Sequence, residues 1–339
     1  MAADLGGSAL WLAANDVEGR WVTCERGLST VELQKVRSLY CATKPMVAMG
    51  VLARLERHGV DWTSAHVDAH GQIRDDGPWA VSDLVAHRTP LVRPTFWEVL
   101  RLPLGSAESE LAARAVRAAV APGGAVGTSE VLAWFVLARA AARVAGEVWA
   151  RELQAALRAA SGPRLWLVPD RELLDLPVDV MATLTADRGG TDVPLVYALS
   201  VRSRALTSPY LGGYGSFAAV VSWFQALHRH LRGDMAASLF PRADRLRDEL
   251  AAASAHAEHG GSPVALGLET AGGRDGGQRL GLQVAGGALS VEMDPATGVI
   301  VAVLGSRFFD DPQRRRRWLA RERSGAREWA RRIGFEVGW

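Results

Sequence analysis

Tyr40-Cys41-Ala42-Thr43-Lys44-Pro45, followed by Val47, Val51, Leu52 and Leu55 at helical spacing and closed by Arg57-His58-Gly59, is the stretch from which the rest of this sequence is read. Pro45 suits the first turn of a helix, where its missing N–H costs nothing, and Gly59 suits the stop. Cys41 therefore stands at or just before a helix N-terminus, with Lys44 on the same side of one turn. Free backbone N–H groups and the positive end of the helix dipole face a thiol placed there. Both residue types are scarce: Lys35 and Lys44 are the only lysines among 39 basic residues, and Cys24 and Cys41 the only cysteines. Arginine stays protonated at physiological pH whereas lysine can act as a base, so a chain that otherwise uses arginine keeps a lysine where chemistry asks for one. A cysteine falls three residues before a lysine by chance in about one such sequence in 80. The plainer alternative is two buried thiols, or a disulfide between Cys24 and Cys41.

Outward from this motif, Ser8 to Asn15 and Arg20 to Glu25 are apolar-rich runs joined by Asp16-Val17-Glu18-Gly19, a β-hairpin pattern. Downstream, Ala107 to Val120, Glu130 to Ala145 and Glu147 to Ala160 have helical composition, with Gly146 ending the second of them. Ser161 to Ser208 shows no clear element. Ser216 suits the cap of a helix with Val220, Phe224, Leu227 and Leu231 on one face and Gly233 at its end. Gly260 to Gly277 reads as a mobile glycine-rich loop. Ala288 to Met293 and Val299 to Leu304 flank Asp294-Pro-Ala-Thr-Gly298 in a second hairpin, and a last helix covers Pro312 to Arg332. Strands at both ends and helices between them predict an α/β (α+β) chain with an antiparallel sheet flanked by helices. One lobe is expected from 1–59 with 209–339, and a mainly helical insertion from 60–208.

The 339 residues, 48% hydrophobic and 22% charged, suffice for a full core. The first residues lack the positive charge of a signal peptide, and no apolar run approaches a membrane span, so a cytoplasmic chain with no membrane partner is expected. A net charge of +2 does not ask for a polyanion. The Arg314 to Arg317 run reads as the solvated face of the last helix, because no nucleic-acid-binding motif accompanies it. His228 and His230 are two apart, which points them to different helix faces and argues against a paired metal site. No Gly-x-Ser-x-Gly elbow, P-loop or dinucleotide fingerprint is present, and no cofactor is expected.

Tyr40-Cys-Ala-Thr-Lys-Pro45 with its helix resembles the first motif of the serine β-lactamase and penicillin-binding-protein family, in its class C and esterase branch, with cysteine in place of serine. Val81-Ser-Asp-Leu-Val-Ala-His87 is similar to that family's leucine-leucine-threonine-histidine segment. Leu211-Gly-Gly-Tyr-Gly-Ser216 and Val291-Glu-Met-Asp-Pro295 are similar to later segments in the same order. The resemblance implies an antiparallel sheet between helices, a helical lobe, and an active site in the crevice between the two.

It also implies a nucleophile, a lysine three residues on, a tyrosine in Tyr-x-Asn that relays protons, and a Lys-Thr-Gly or His-x-Gly motif on a strand. Only the lysine is unchanged. Gly127-Thr128-Ser129-Glu130-Val131 stands where Tyr-x-Asn is expected, which makes Ser129 and Glu130 candidate replacements. Leu280 to Gly287 stands at the last motif, with Leu282 or Gln283 in place of the His or Lys and Gly286 or Gly287 as oxyanion donors. Tyr210 and Tyr214 are further candidates for substrate binding, and His87 is a structural histidine with a lesser claim to partner Cys41. Two functions follow. In one, Cys41 attacks an ester, thioester or amide of a small-molecule or carrier-bound acyl substrate, Lys44 takes the proton, and an acceptor resolves the thioester in a biosynthetic transfer or cyclisation. In the other, a degenerate relative uses the crevice for ligand binding or non-covalent chemistry.

Overall fold

Strand β1 (Ala9–Asn15) sends Leu10, Leu12 and Ala14 into one core and Ala9, Trp11 and Ala13 into another. Strand β14 (Val299–Gly305) does the same with Ile300, Ala302 and Leu304 against Val299, Val301 and Val303. Strands covered on both faces read as continuous apolar runs, and both are therefore central. The computed structural model that shows this describes residues 7–15, 19–91, 94, 98–99, 101–102, 105–120, 131–182, 184–188, 191–194, 200–234, 239–258, 264–272, 278–283, 288–309 and 311–337. Around β1 and β14 stand β2 (Arg20–Arg26), β10 (Val264–Ala265), β11 (Leu268–Gly272), β12 (Gln278–Gln283) and β13 (Leu289–Met293). They form a seven-stranded antiparallel sheet in the order β10-β11-β12-β13-β14-β1-β2, so both chain ends build it.

On one face lie α1 (Lys44–Arg57) and α8 (Phe217–Arg232), the latter capped by Ser216 Oγ, which accepts from Ala219 N, and ended by Gly233 in the left-handed conformation. The other face carries α10 (Pro312–Arg332), whose cap Asp311 accepts from Gln313 N and Arg314 N. Between α10 and the sheet the contact is partly ionic. Buried Glu292 on β13 accepts from Arg279 Nη1 at 2.9 Å and from Arg327 Nε at 2.9 Å, and Arg323 Nε donates to Ser290 Oγ at 2.6 Å. Trp11 Nε1 donates to buried Glu322 at 3.0 Å. Arg316 and Arg317 are exposed and Arg314 and Arg315 half-buried, so the basic run is largely the solvated surface of this helix. The turn between β13 and β14 is held by Asp294, whose carboxylate accepts from Ala296 N and Thr297 Oγ1. It closes on Gly298 at φ +75°, where an added Cβ would lie 2.5 Å from the His228 ring.

The helical part contains α2 (Val81–Val85), α3 (Ala107–Val120), α4 (Leu132–Ala145) and α5 (Trp149–Ser161). Two sequence expectations need correction. Ser161 to Ser208, which shows no element by pattern, holds β6 (Leu165–Trp166), α6 (Arg171–Leu174), β7 (Thr185–Arg188), β8 (Thr191–Pro194) and α7 (Val201–Ala205). These are too short for a periodicity to register. β6 joins β3 (Val36–Tyr40) and β9 (Gly213–Ser216) in a small sheet, and β7 pairs in parallel with β15 (Arg307–Phe309). The expected glycine-rich loop is in part β10 and β11, preceded by α9 (Ala243–Glu258), which buries Leu246, Leu250 and Ala253. The glycines at 260–261 and 273–277 lie outside the described residues. No described helix is long and apolar enough to cross a membrane.

Candidate active site

Strand β3 runs straight into the cysteine. Its last residue, Tyr40, has φ +44° and ψ −125°, a conformation that costs a non-glycine residue about 1–3 kcal/mol. A single 3₁₀ turn, Cys41–Thr43, follows and passes into α1 at Lys44. The strain is held from several sides. Thr43 Oγ1 donates to Tyr40 O at 3.1 Å, and the Tyr40 ring lies 6.2 Å from Phe308 of β15. Gly212, at φ +119°, packs so closely that an added Cβ would be 2.7 Å from Tyr40 O. A Cβ on Gly213 would collide with Trp166 O and come within 2.9 Å of Thr43 Cγ2. Gly212 and Gly213, the adjacent pair in Leu211-Gly-Gly-Tyr-Gly-Ser216, are thus required by the close approach of this segment to the cysteine turn.

Cys41 is half-buried and free, and so is Cys24, which packs beside the cluster around Trp11; the disulfide alternative does not hold. Lys44 is buried, with Nζ 5.7 Å from the centre of the Trp134 ring. Trp134, fully buried in the first turn of α4, meets His87 as well, at 5.5 Å between rings. His87 follows α2 at φ +56°. Strand β12 passes alongside the Cys41–Thr43 turn, bringing the segment of the last motif to the cysteine. The turn between β10 and β11 completes the surroundings of α1. Gly267 N donates to Val85 O at 3.0 Å, and a Cβ on Gly267 would be 3.1 Å from Pro45 N.

Ser129, Glu130, Gly286 and Gly287 lie outside the described residues, and of Gln283 only the backbone, paired with Ser290, is described. Tyr214 is not a crevice residue: its hydroxyl donates to Ser203 Oγ at 2.7 Å and its ring is buried among Val36, Trp166, Leu173 and Met181. Alternation along β9 sends it there once Gly213 faces Thr43. Tyr210 packs edge-on against Phe135 at 5.2 Å, and burial, reinforced by Glu108, pushes its hydroxyl above the ordinary value of 10.0. His228 packs against Gly298, while His230 Nε2 contacts Pro241 O at 2.7 Å and its ring stacks on Phe240. Among the described residues no group of His, Cys, Asp and Glu is placed to hold a metal. The sequence reasoning missed Trp134, Gly212, Gly213 and Gly267. The paired glycines and a tryptophan four positions after Glu130 in the sequence were the available signals.

Against solved structures the likeness extends over nearly the whole chain. A simvastatin synthase variant from Aspergillus terreus matches at 15% identity with a TM-score of 0.58, covering 97% of this chain and 94% of that one. A class C β-lactamase from Rhodobacter sphaeroides matches at 14% identity and a TM-score of 0.59, covering 94% of each chain. This chain has the β-lactamase/transpeptidase fold. EstCE1, described as a hydrolase with promiscuous acyltransferase activity, matches at 17% identity and a TM-score of 0.61, covering 93% of each chain. No protein-family model and no curated protein sequence matches the chain.

Proposed function

We propose that this protein is an acyl-transfer enzyme working through a thioester on Cys41. The observation that carries it is the free Cys41 on a strained strand-to-helix turn, with buried Lys44, the one lysine of that helix, three residues on. Cys41 Sγ attacks the acyl carbonyl of an ester, thioester or amide, and its proton passes to the Lys44 amine. A carbon–sulfur bond forms, the bond to the leaving group breaks, and the leaving group takes that proton. An acceptor then attacks the thioester and gives its proton to Lys44; the bond from the acceptor to the acyl carbon forms, the carbon–sulfur bond breaks, and Lys44 returns the proton to the Cys41 sulfur. The Cys41 N–H, without a hydrogen-bond partner among the described residues, is one donor to the oxyanion, and Gly286 or Gly287 after β12 supplies the other. A thioester yields to an amine more readily than to water, and no tyrosine stands where the family resemblance places the proton relay. Transfer or cyclisation in a biosynthetic pathway is therefore favoured over hydrolysis. The acyl donor is a small molecule or a carrier-bound group. The synthase and acyltransferase descriptions of two proteins of the same fold support this direction.

One observation favours a second reading, a degenerate crevice used for binding or non-covalent chemistry: Lys44 Nζ faces the Trp134 ring, a surface that attracts a cation. Intact-protein mass spectrometry with a panel of p-nitrophenyl esters and acyl thioesters separates the two. The enzyme reading expects one acyl adduct, mapped to Cys41 and lost in Cys41→Ala. Absence of any adduct across the panel leaves the second.

A further inference from the structure

A cavity of about 230 Å³ opens between α3, α4, the start of α5 and the Pro209–Tyr210 turn. Its apolar wall is aromatic: Phe135 and Tyr210 meet edge to face at 5.2 Å, and Trp149 stands beside them. Four charged side chains complete the lining. Arg139 and Arg143 lie on successive turns of α4, Glu108 in the first turn of α3, and Glu147 just past the end of α4. Arg139 lies over Phe135, 5.6 Å from its centre. None of the four side chains makes an ion pair or hydrogen bond among the described residues, although both signs share one cavity. Elsewhere on this surface neighbouring arginines and acids close on one another, as Arg114 does on Glu110 at 2.7 Å and Arg245 on Asp61 at 2.7 Å. Around this cavity they are held apart across an open space.

We infer that this cavity is a binding site for a small zwitterion with an aromatic body, of the class of free aromatic α-amino acids. A carboxylate fits the forked donors of Arg139 and Arg143, which recognise planar anions. An ammonium on the same ligand fits Glu108 and Glu147, and the ring between them lies against Phe135, Tyr210 and Trp149. The volume is below the range of about 300–1,000 Å³ usual for drug-sized ligands, which limits the occupant to a small molecule. Nothing in this assignment depends on Cys41 chemistry.

Isothermal titration calorimetry on the whole chain tests it with three probes: L-phenylalanine, benzoate and phenethylamine. Phenylalanine is expected to bind saturably at one site. Each single-charge probe should bind about tenfold more weakly or worse, having lost one charge-assisted contact. Glu108→Gln and Arg143→Gln, both at exposed positions, should keep the wild-type circular dichroism spectrum and each weaken phenylalanine about tenfold. Benzoate or phenethylamine binding as tightly as phenylalanine overturns the zwitterion assignment. Undiminished affinity in both variants, or no saturable heat with phenylalanine, overturns the site.

Discussion

Replacing Lys44 with arginine keeps a cation in place and removes the amine. Lys44 is 7% exposed, with Nζ 5.7 Å from the Trp134 ring centre, so the guanidinium has the same aromatic face to rest on. The larger head group overpacks the site by about 1–3 kcal/mol, which a chain of this size tolerates without unfolding. If the Lys44 amine accepts the Cys41 proton, acylation slows by about a hundredfold or more, equivalent to about 2.7 kcal/mol of barrier. The assay is quenched intact-mass spectrometry of the Cys41 adduct against time, with the p-nitrophenyl ester that labels wild type fastest. Circular dichroism in parallel establishes that the variant is folded. Lys44→Ala, with neither charge nor amine, should be no faster than Lys44→Arg, and Cys41→Ser should retain trace acylation at best, since a hydroxyl needs a base more than a thiol does. Acylation by folded Lys44→Arg within about threefold of wild type would refute the base role and leave Lys44 as a positioned charge.

Cys41 should react with iodoacetamide faster than Cys24 near neutral pH, because it faces a helix start while Cys24 lies against the Trp11 cluster; equal or slower labelling in peptide mapping would make Cys41 a packing residue. Glu292→Ala leaves Arg279, Arg323 and Arg327 facing each other without their shared acid, and should cost about 2–4 kcal/mol in urea unfolding, discounted from a fully buried pair because the arginines are partly exposed. A change under about 0.5 kcal/mol would show the network to be screened. Gly298→Ala meets both the φ of +75° and the His228 ring, and should lose about 2–4 kcal/mol, part of which His228→Ala restores in a double-mutant cycle; additivity of the two changes would place the cost in the backbone alone. Tyr210 has its hydroxyl pushed above 10.0 by burial, so the folded state holds that proton more tightly than the unfolded one. Its contribution to stability is complete below pH 10 and is lost as pH rises through the folded value; Tyr210→Phe should flatten this part of the alkaline stability curve, and an unchanged curve would contradict it.

Which parts of this molecule the sequence discloses follows from how far each signal reaches along the chain. The helix Pro312–Arg332 and the hairpin Leu289–Met293 with Val299–Gly305 announce themselves through patterns of their own residues, Trp318, Ala326 and Ala330 on one face or Val291 and Met293 in alternation. Leu165–Trp166 is a strand only because β9 comes to lie beside it, a fact stored in a partner far away in sequence, and Thr185–Arg188, a four-residue strand of a hairpin with β8, takes its second neighbour from the distant β15. The candidate site divides the same way. Cys41 and Lys44 stand three apart on one turn, and their spacing alone suggests a nucleophile and a base. Trp134, which meets both Lys44 and His87, belongs to a helix some 90 positions later, and its place beside the lysine depends on how α4 packs on α1. Tyr214 shows the converse error. It lies in a motif that does reach the cysteine turn, but the motif reaches it through Gly212 and Gly213, and strand alternation turns the tyrosine into the core behind. The glycines leave room for Tyr40 O and Thr43, and Tyr40 is held in a strained conformation that does nothing for burying a thiol. A cysteine needed only for packing would sit on an ordinary strand or helix, as Cys24 does; the cost accepted at Tyr40 is the physical ground on which a chemical role is proposed for Cys41.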